Sequence, residues 1–395
     1  MSKTIIKESV IATLTVLFFV PFINFFPFKF ELTKPIKQEF LDFDIYDLKF
    51  SGNNINKSTK DTNIVLIEIA ESRKEIADQI ALVDSLGPTI IGVDVLFGAG
   101  GDSLSNYYLE KAISLVKSPI VFASQINADG ENATVTRCYF QEKIFGFNDG
   151  YGNFIGDDFS VIRSWSPFAQ VDDKKYLSFT TKILQLSSPK TFNALMRRDK
   201  EIELINFEGN LESFTTFSTD ELYYYLNSGQ LASKIKNKVV LLGFFKKMTP
   251  LILEDLHFTP VNEKVTGKSF PDMYGLVIHA NILSMTLDGD YLQQLPKSGS
   301  YGIAALLTFC FMLFIVRQYN KSNHPPHLKI LLLQTLLIIV LIYLFLLIFT
   351  YFNVKILLLP IILALVLCVE MFGIYKSVAK WLHKKFSYQT IFSSE

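Results

Sequence analysis

Four long apolar runs divide the chain, one near its start (10–28) and three near its end (299–316, 330–352 and 356–375). Each is close to the ~20 residues an α-helix needs to cross a hydrocarbon core about 30 Å thick. Residues 29–298 alternate polar and apolar positions as a globular domain does, and 376–395 form a short basic tail. The pattern predicts four transmembrane α-helices, with a large domain on one side of the membrane and little on the other.

Positive charge orients such a chain, because Lys and Arg flanking a membrane helix stay in the cytoplasm. Lys3 and Lys7 precede the first run. Arg317, Lys321 and Lys329 lie between the second and third, and Lys376, Lys380, Lys384 and Lys385 follow the fourth. If every run spans, these groups share one side, and the hairpin Asn353-Val354-Lys355 lies on the other with the large domain. The expected topology puts both termini in the cytoplasm and residues 29–298 outside it, in the inner membrane of a bacterium with the domain facing the periplasm. The first run also fits a signal peptide, but Asn24 to Phe28 contains no small-x-small cleavage site. It is expected to remain as an anchor, its outer half kinked or frayed at Pro21 and Pro27.

The domain reads as α/β. Residues 63–69 are rich in β-branched side chains and predict a strand, and 71–86 carry apolar residues at the helical spacing of Ile76, Ile80, Val83 and Leu86. Gly87-Pro88 ends that helix, and 89–97 form a second apolar strand running into the glycine-rich 98–101. Strand, helix, strand with short connections is a βαβ unit, which implies parallel strands. A helix over 103–116 and a strand over 119–123 extend it. A further buried strand is expected at 238–244 and a closing helix at 274–287, giving a mostly parallel sheet with helices on both faces.

Composition adds exclusions. Formal net charge is zero, which gives no footprint for nucleic acid. Cys310 and Cys368 lie in apolar runs and Cys138 is alone in the domain, so no disulfide is expected within it. Abundant Phe, Lys, Asn and Ile is compatible with an AT-rich bacterial genome. No Gly-x-Ser-x-Gly, His-Glu-x-x-His or phosphate-binding loop occurs, so an enzyme is not expected, and no cofactor is implied.

Four stretches resemble the CHASE type-2 domain, an extracytoplasmic sensory domain of bacterial receptor kinases and nucleotide cyclases. They are Asp42-Phe43-Asp44-Ile45-Tyr46-Asp47-Leu48; the strand Ile91-Gly92-Val93-Asp94-Val95-Leu96-Phe97; Val239-Val240-Leu241-Leu242-Gly243 with Asp255 and Thr259-Pro260; and Gly275-Leu276-Val277-Ile278-His279-Ala280-Asn281-Ile282-Leu283. The similarity covers roughly residues 40–296 and implies three membrane helices after the domain. The chain departs from the family pattern at Ala70, where an aspartate is usual, at Glu71-Ser72-Arg73-Lys74, and at Phe159-Ser160 before Arg163.

Ligands of parallel α/β sheets sit at the C-terminal ends of strands. Asp94, Asp255, His279 and Asn281 are therefore the candidate ligand-binding residues. Each also has a structural reading: a carboxylate inside a strand paired to a neighbour, a loop-orienting aspartate, and a His and Asn tying a helix to a loop. Their spacing fixes no metal geometry. In the membrane runs, Gln334 and Glu370 fall at similar depth and are expected to form a polar pair across a helical hairpin, unless Glu370 reaches the interface beside Lys376.

Receptors resembling this chain end in a kinase or cyclase domain, whereas only 376–395 follow the last apolar run here. The first expectation is a multi-pass sensor or adaptor that binds a small molecule or protein and signals through a separate membrane or cytoplasmic partner. The alternative is a structural docking subunit of a bacterial envelope complex.

Overall fold

A computed structural model describes residues 3–25, 45–50, 60–129, 132–155, 160–246, 255–262, 271–322 and 327–392. They fall into two compact units, Asp42–Leu292 and the combination of Met1–Leu41 with Gln293–Glu395.

The first unit is built on a seven-stranded sheet. Helix α1 (Lys3–Phe25) belongs to the second unit, and α2 (Ile45–Phe50) opens the domain. The domain then runs β1 (Asp61–Glu68), α3 (Arg73–Ser85), β2 (Ile90–Asp94), α4 (Ser103–Leu115), β3 (Ile120–Asp129), β4 (Asn132–Thr136) and β5 (Asp149–Tyr151). It continues with α5 (Phe179–Ser187), α6 (Pro189–Arg197), β6 (Phe214–Phe217), α7 (Thr219–Asn227), β7 (Val239–Gly243) and α8 (Gly275–Asp288). The order across the sheet is β6-β1-β7-β2-β3-β4, with β5 also on β3. Every pairing is parallel except β3 with β4. The expected β1-α3-β2 unit exists and is parallel, but β7, the last strand of the sheet, lies between its two strands.

Burial of both faces explains the continuous apolar strands. On one face Val65, Ile67, Ile91, Val93, Val240 and Leu242 join Ile76, Ile80 and Val83 of α3 and Leu109 and Ile113 of α4. A capping box between Ser72 and Glu75 starts α3. On the other face lie α5 and α8. A Cβ on Gly92 would stand 2.8 Å from Ile183 of α5, and one on Gly243 would stand 2.7 Å from Leu276 of α8. Glycine at these two positions lets the helices settle onto the strands. The glycine-rich stretch 98–101 is held by Arg73, whose guanidinium donates to the Gly98 carbonyl at 2.8 Å.

The opening motif is also structural where it is described; Asp42 to Asp44 lie outside the described residues. The Arg163 guanidinium grips Asp47 through two hydrogen bonds of 2.7 Å, and the Tyr46 hydroxyl donates to the Ile205 carbonyl. Phe159 also falls outside the described residues.

Among the described residues three helices are long and apolar enough to cross a membrane: α9 (Lys297–Lys321), α10 (His327–Phe352) and α11 (Leu359–Phe386). Four were expected. The first run does form a helix, which continues past Pro21, but α1 carries Lys3, Lys7 and Glu8 in its first turns and is not among the three. Pro27 lies outside the described residues. Ala12, Val16 and Val20 of α1 share an apolar core with Ala304, Met312 and Phe311 of α9 and Ala364, Leu365 and Phe372 of α11.

The expected pair of Gln334 and Glu370 is not made. Gln334 is buried and donates its amide to the Leu365 and Val366 carbonyls at 2.8 and 2.9 Å, while Glu370 is exposed one turn further along α11. A side-chain amide one turn away meets backbone oxygens first. The buried carboxyl of this unit is instead Glu8, which accepts a hydrogen bond from the Tyr375 hydroxyl. Residues 387–392 fold back here, with Phe392 against the rings of Phe372 and Tyr375.

Candidate ligand-binding site

Alternation along β2 sends Ile91 and Val93 to the α3 side and Gly92 and Asp94 to the α8 side. Asp94 is the last residue of its strand, not an interior one as expected, and its register neighbour is Gly243. Because Gly243 has no side chain, the Asp94 carboxylate stands clear at the C-terminal edge of the sheet. There it meets a cavity of about 460 Å³, whose lining includes Asp94, Ser124, Phe154, Phe244, Asp255 and His279. That volume is in the range of small-molecule sites.

Helix α8 presents His279 to this cavity from a position 4% exposed. Its Nδ1 is buried without a hydrogen-bond partner. Phe154 lies between two imidazoles, 4.7 Å from His279 and 5.3 Å from His257, ring centre to ring centre. Asp255 faces the cavity from a left-handed backbone turn at φ 64°, and its carbonyl accepts from Gly275 N at the start of α8. Asn153 fastens the neighbouring loop by exchanging two hydrogen bonds with the Ile126 backbone of β3.

Electrostatics set this cavity apart. Burial pushes the Asp94 carboxyl up to about 7, and the negative charge of Asp255 adds to the rise. Burial pushes the His279 imidazole down to about 3, with His257 acting in the same direction. Nε2 of His279 lies 3.9 Å from Asp94 Oδ1, but burial favours the neutral form of both, so the contact is not an ion pair. Among the described lining residues there is no Lys or Arg.

Of the four sequence candidates, Asp94, Asp255 and His279 come together here. Asn281 does not. It is fully buried on the far side of α8, accepts from the backbone N–H groups of Glu208 and Gly209, and donates to the Gly209 carbonyl at 2.9 Å. Its work is to hold the loop before β6 against α8. Thr259, also singled out in the sequence, closes a different loop by donating from backbone and hydroxyl to Asp272. Sequence reasoning missed Phe154, Phe244 and His257. His257 stands two residues beyond Asp255, and Phe154 follows the glycine-punctuated 149–153, signals that were readable.

A second cavity, of about 620 Å³, opens at the ends of β1 and β6 and shares Phe244 with the first. Ala70 lines it, its N–H held by the Gln79 side chain at 2.9 Å. Where relatives are expected to carry an aspartate, this chain thus presents a methyl group to a space that also holds Glu68, Glu71 and Glu75.

A parallel α/β domain with a cavity at its strand ends stands in a chain that also carries helices long and apolar enough to cross a membrane. The chain belongs to the family of the CHASE2 domain, an extracytoplasmic sensory domain, which matches residues 16–316. The match begins inside α1 and ends inside α9. Comparison with curated proteins and with solved structures found no match.

Proposed function

We propose that this chain is a multi-pass membrane sensor. Its extracytoplasmic domain takes up a small ligand in the cavity at Asp94 and His279, and it signals through a separate partner protein. The observation that carries this is the cavity itself, in which three residues far apart in sequence converge at the strand ends of a CHASE2 domain. Only residues 289–296 separate α8, which bears His279, from α9, the first of the three membrane helices. A shift of α8 on binding therefore has a short covalent path to the bilayer.

In this reading α1 is a fourth span, supported by its apolar packing on α9 and α11. Both termini are cytoplasmic and the domain faces the periplasm of a bacterial inner membrane, as the Lys and Arg positions favour. The exposed apolar flank of α10, with Leu332, Leu336, Ile339 and Val340 more than half exposed, faces lipid. The chain is not an enzyme in this reading, and its lining residues serve recognition.

Affinity purification of the full-length chain in mild detergent, with mass spectrometry and partner stoichiometry, tests the signalling half. A kinase, cyclase or transcriptional regulator recovered at fixed stoichiometry supports the sensor. Envelope or secretion components alone would overturn it in favour of a docking subunit.

A further inference from the structure

The cavity has a chemical bias that narrows its occupant. Two carboxylates, Asp94 and Asp255, face it, and no Lys or Arg does among the described residues. A buried carboxylate without a cation is costly, and proteins tolerate one where a ligand completes the pair. The lining also carries the aromatic rings of Phe154 and Phe244, a residue type compatible with a neighbouring cation. A bare metal ion fits less well: no group of three His, Cys, Asp or Glu among the described residues is placed to hold one, and the space is far larger than an ion needs.

We infer that the ligand is a small organic cation carrying an ammonium group, its charge and N–H donors set against Asp94 and Asp255. This rests on the sensor reading and gives the class of its ligand. An anion would face two carboxylates unaided, and a neutral polyol would leave Asp94 uncompensated.

The test uses the full-length chain in detergent at pH 7.5, with thermal shift followed by calorimetric titration. Ethanolamine and putrescine are the cationic probes, ethylene glycol and glycerol the neutral ones, acetate and phosphate the anionic ones, and magnesium and calcium chloride the metals. The expected result is stabilisation by at least one ammonium probe and not by its neutral counterpart, with affinity reduced at least tenfold in Asp94→Asn. Asp255→Asn, on a loop, provides a second variant should the first fold poorly. Binding of neutral or anionic probes without the ammonium probes would overturn the inference and leave the sensor reading standing. Binding of a divalent metal alone would do the same. Ammonium binding that survives in both variants would place the cation elsewhere and overturn it. No shift with any probe would remove both.

Discussion

Replacing Asp94 by Asn, with no ligand present, should stabilise the domain at neutral pH. Burial and Asp255 raise the carboxyl from 3.8 to about 7. A group whose pKa is higher folded than unfolded binds more protons in the native state between those values, so stability falls as pH rises through that window. The penalty is absent below pH ~4 and complete above pH ~7. At ~1.4 kcal/mol per pH unit the ceiling is about 4 kcal/mol. The side chain keeps 19% exposure, toward the cavity, so solvent screening brings the expected cost to about 2 kcal/mol. For a domain of this size that is a Tm increase on the order of 6 °C in Asp94→Asn at pH 8, shrinking toward zero at pH 4 to 5. The chain has two tryptophans, so in a Trp381→Phe background the buried Trp165 reports the domain alone. Melting followed by its fluorescence from pH 5 to 8.5 gives the comparison. His279 works in the opposite sense, since its lowered pKa costs stability only as pH falls below ~6.5, and it is common to both proteins. A pH-independent difference, or a variant that melts lower at pH 8, would mean that the Asp94 anion already has a partner and would refute the reasoning.

Three further outcomes follow from the packing. Asn281→Leu leaves two buried N–H groups and one carbonyl of the loop 208–209 unpaired; a loss of about 3 to 6 kcal/mol is expected in denaturant titrations, while probe affinity of the folded fraction should be unchanged. Arg163→Met takes two hydrogen bonds from the Asp47 carboxylate and should cost about 3 kcal/mol or more, of which Asp47→Asn in the same chain should restore over half; additive losses would deny the pairing. Gly150→Ala should be worse tolerated than Gly92→Ala, because its Cβ would stand 2.8 Å from the Phe179 Cα and the Ser178 carbonyl, backbone that cannot rotate away, whereas Gly92 meets only side chains. Equal Tm values for the two would contradict that ordering.

The parts of this protein that announce themselves in sequence are those with a local cause. The apolar runs, the β1-α3-β2 unit and the Gly-x-x-x-His-Ala-Asn helix each carry a periodicity or a composition that physics reads one segment at a time. The insertion of Val239–Gly243 between β1 and β2 has no local signature, since neighbour order in a sheet is a long-range choice. The same limit explains the site. His279 and Asn281 sit two positions apart on α8, so they face opposite ways, and only the packing of the 208–209 loop decides that Asn281 is the structural one. Gln334 was recognisable as a residue needing a partner, but its choice of backbone carbonyls over Glu370 is a matter of one helical turn. The stretch 138–217 went unread because its strands are two to four residues long, too short to establish a period.

The place of Val239–Gly243 at the centre of the sheet bears on how the domain comes into being. A chain synthesised from its N-terminus presents β1 and β2 long before the strand that joins them. Until residue 243 has emerged, two partial sheets stand with open inner edges, the kind of surface that pairs with whatever strand is nearby. The joining contacts span well over a hundred residues on the β1 side, so closure is a high-contact-order step and a slow one. Resistance to protease should therefore arrive late and at once, and a chain shortened to end before 239 should stay open to protease instead of forming a smaller stable domain.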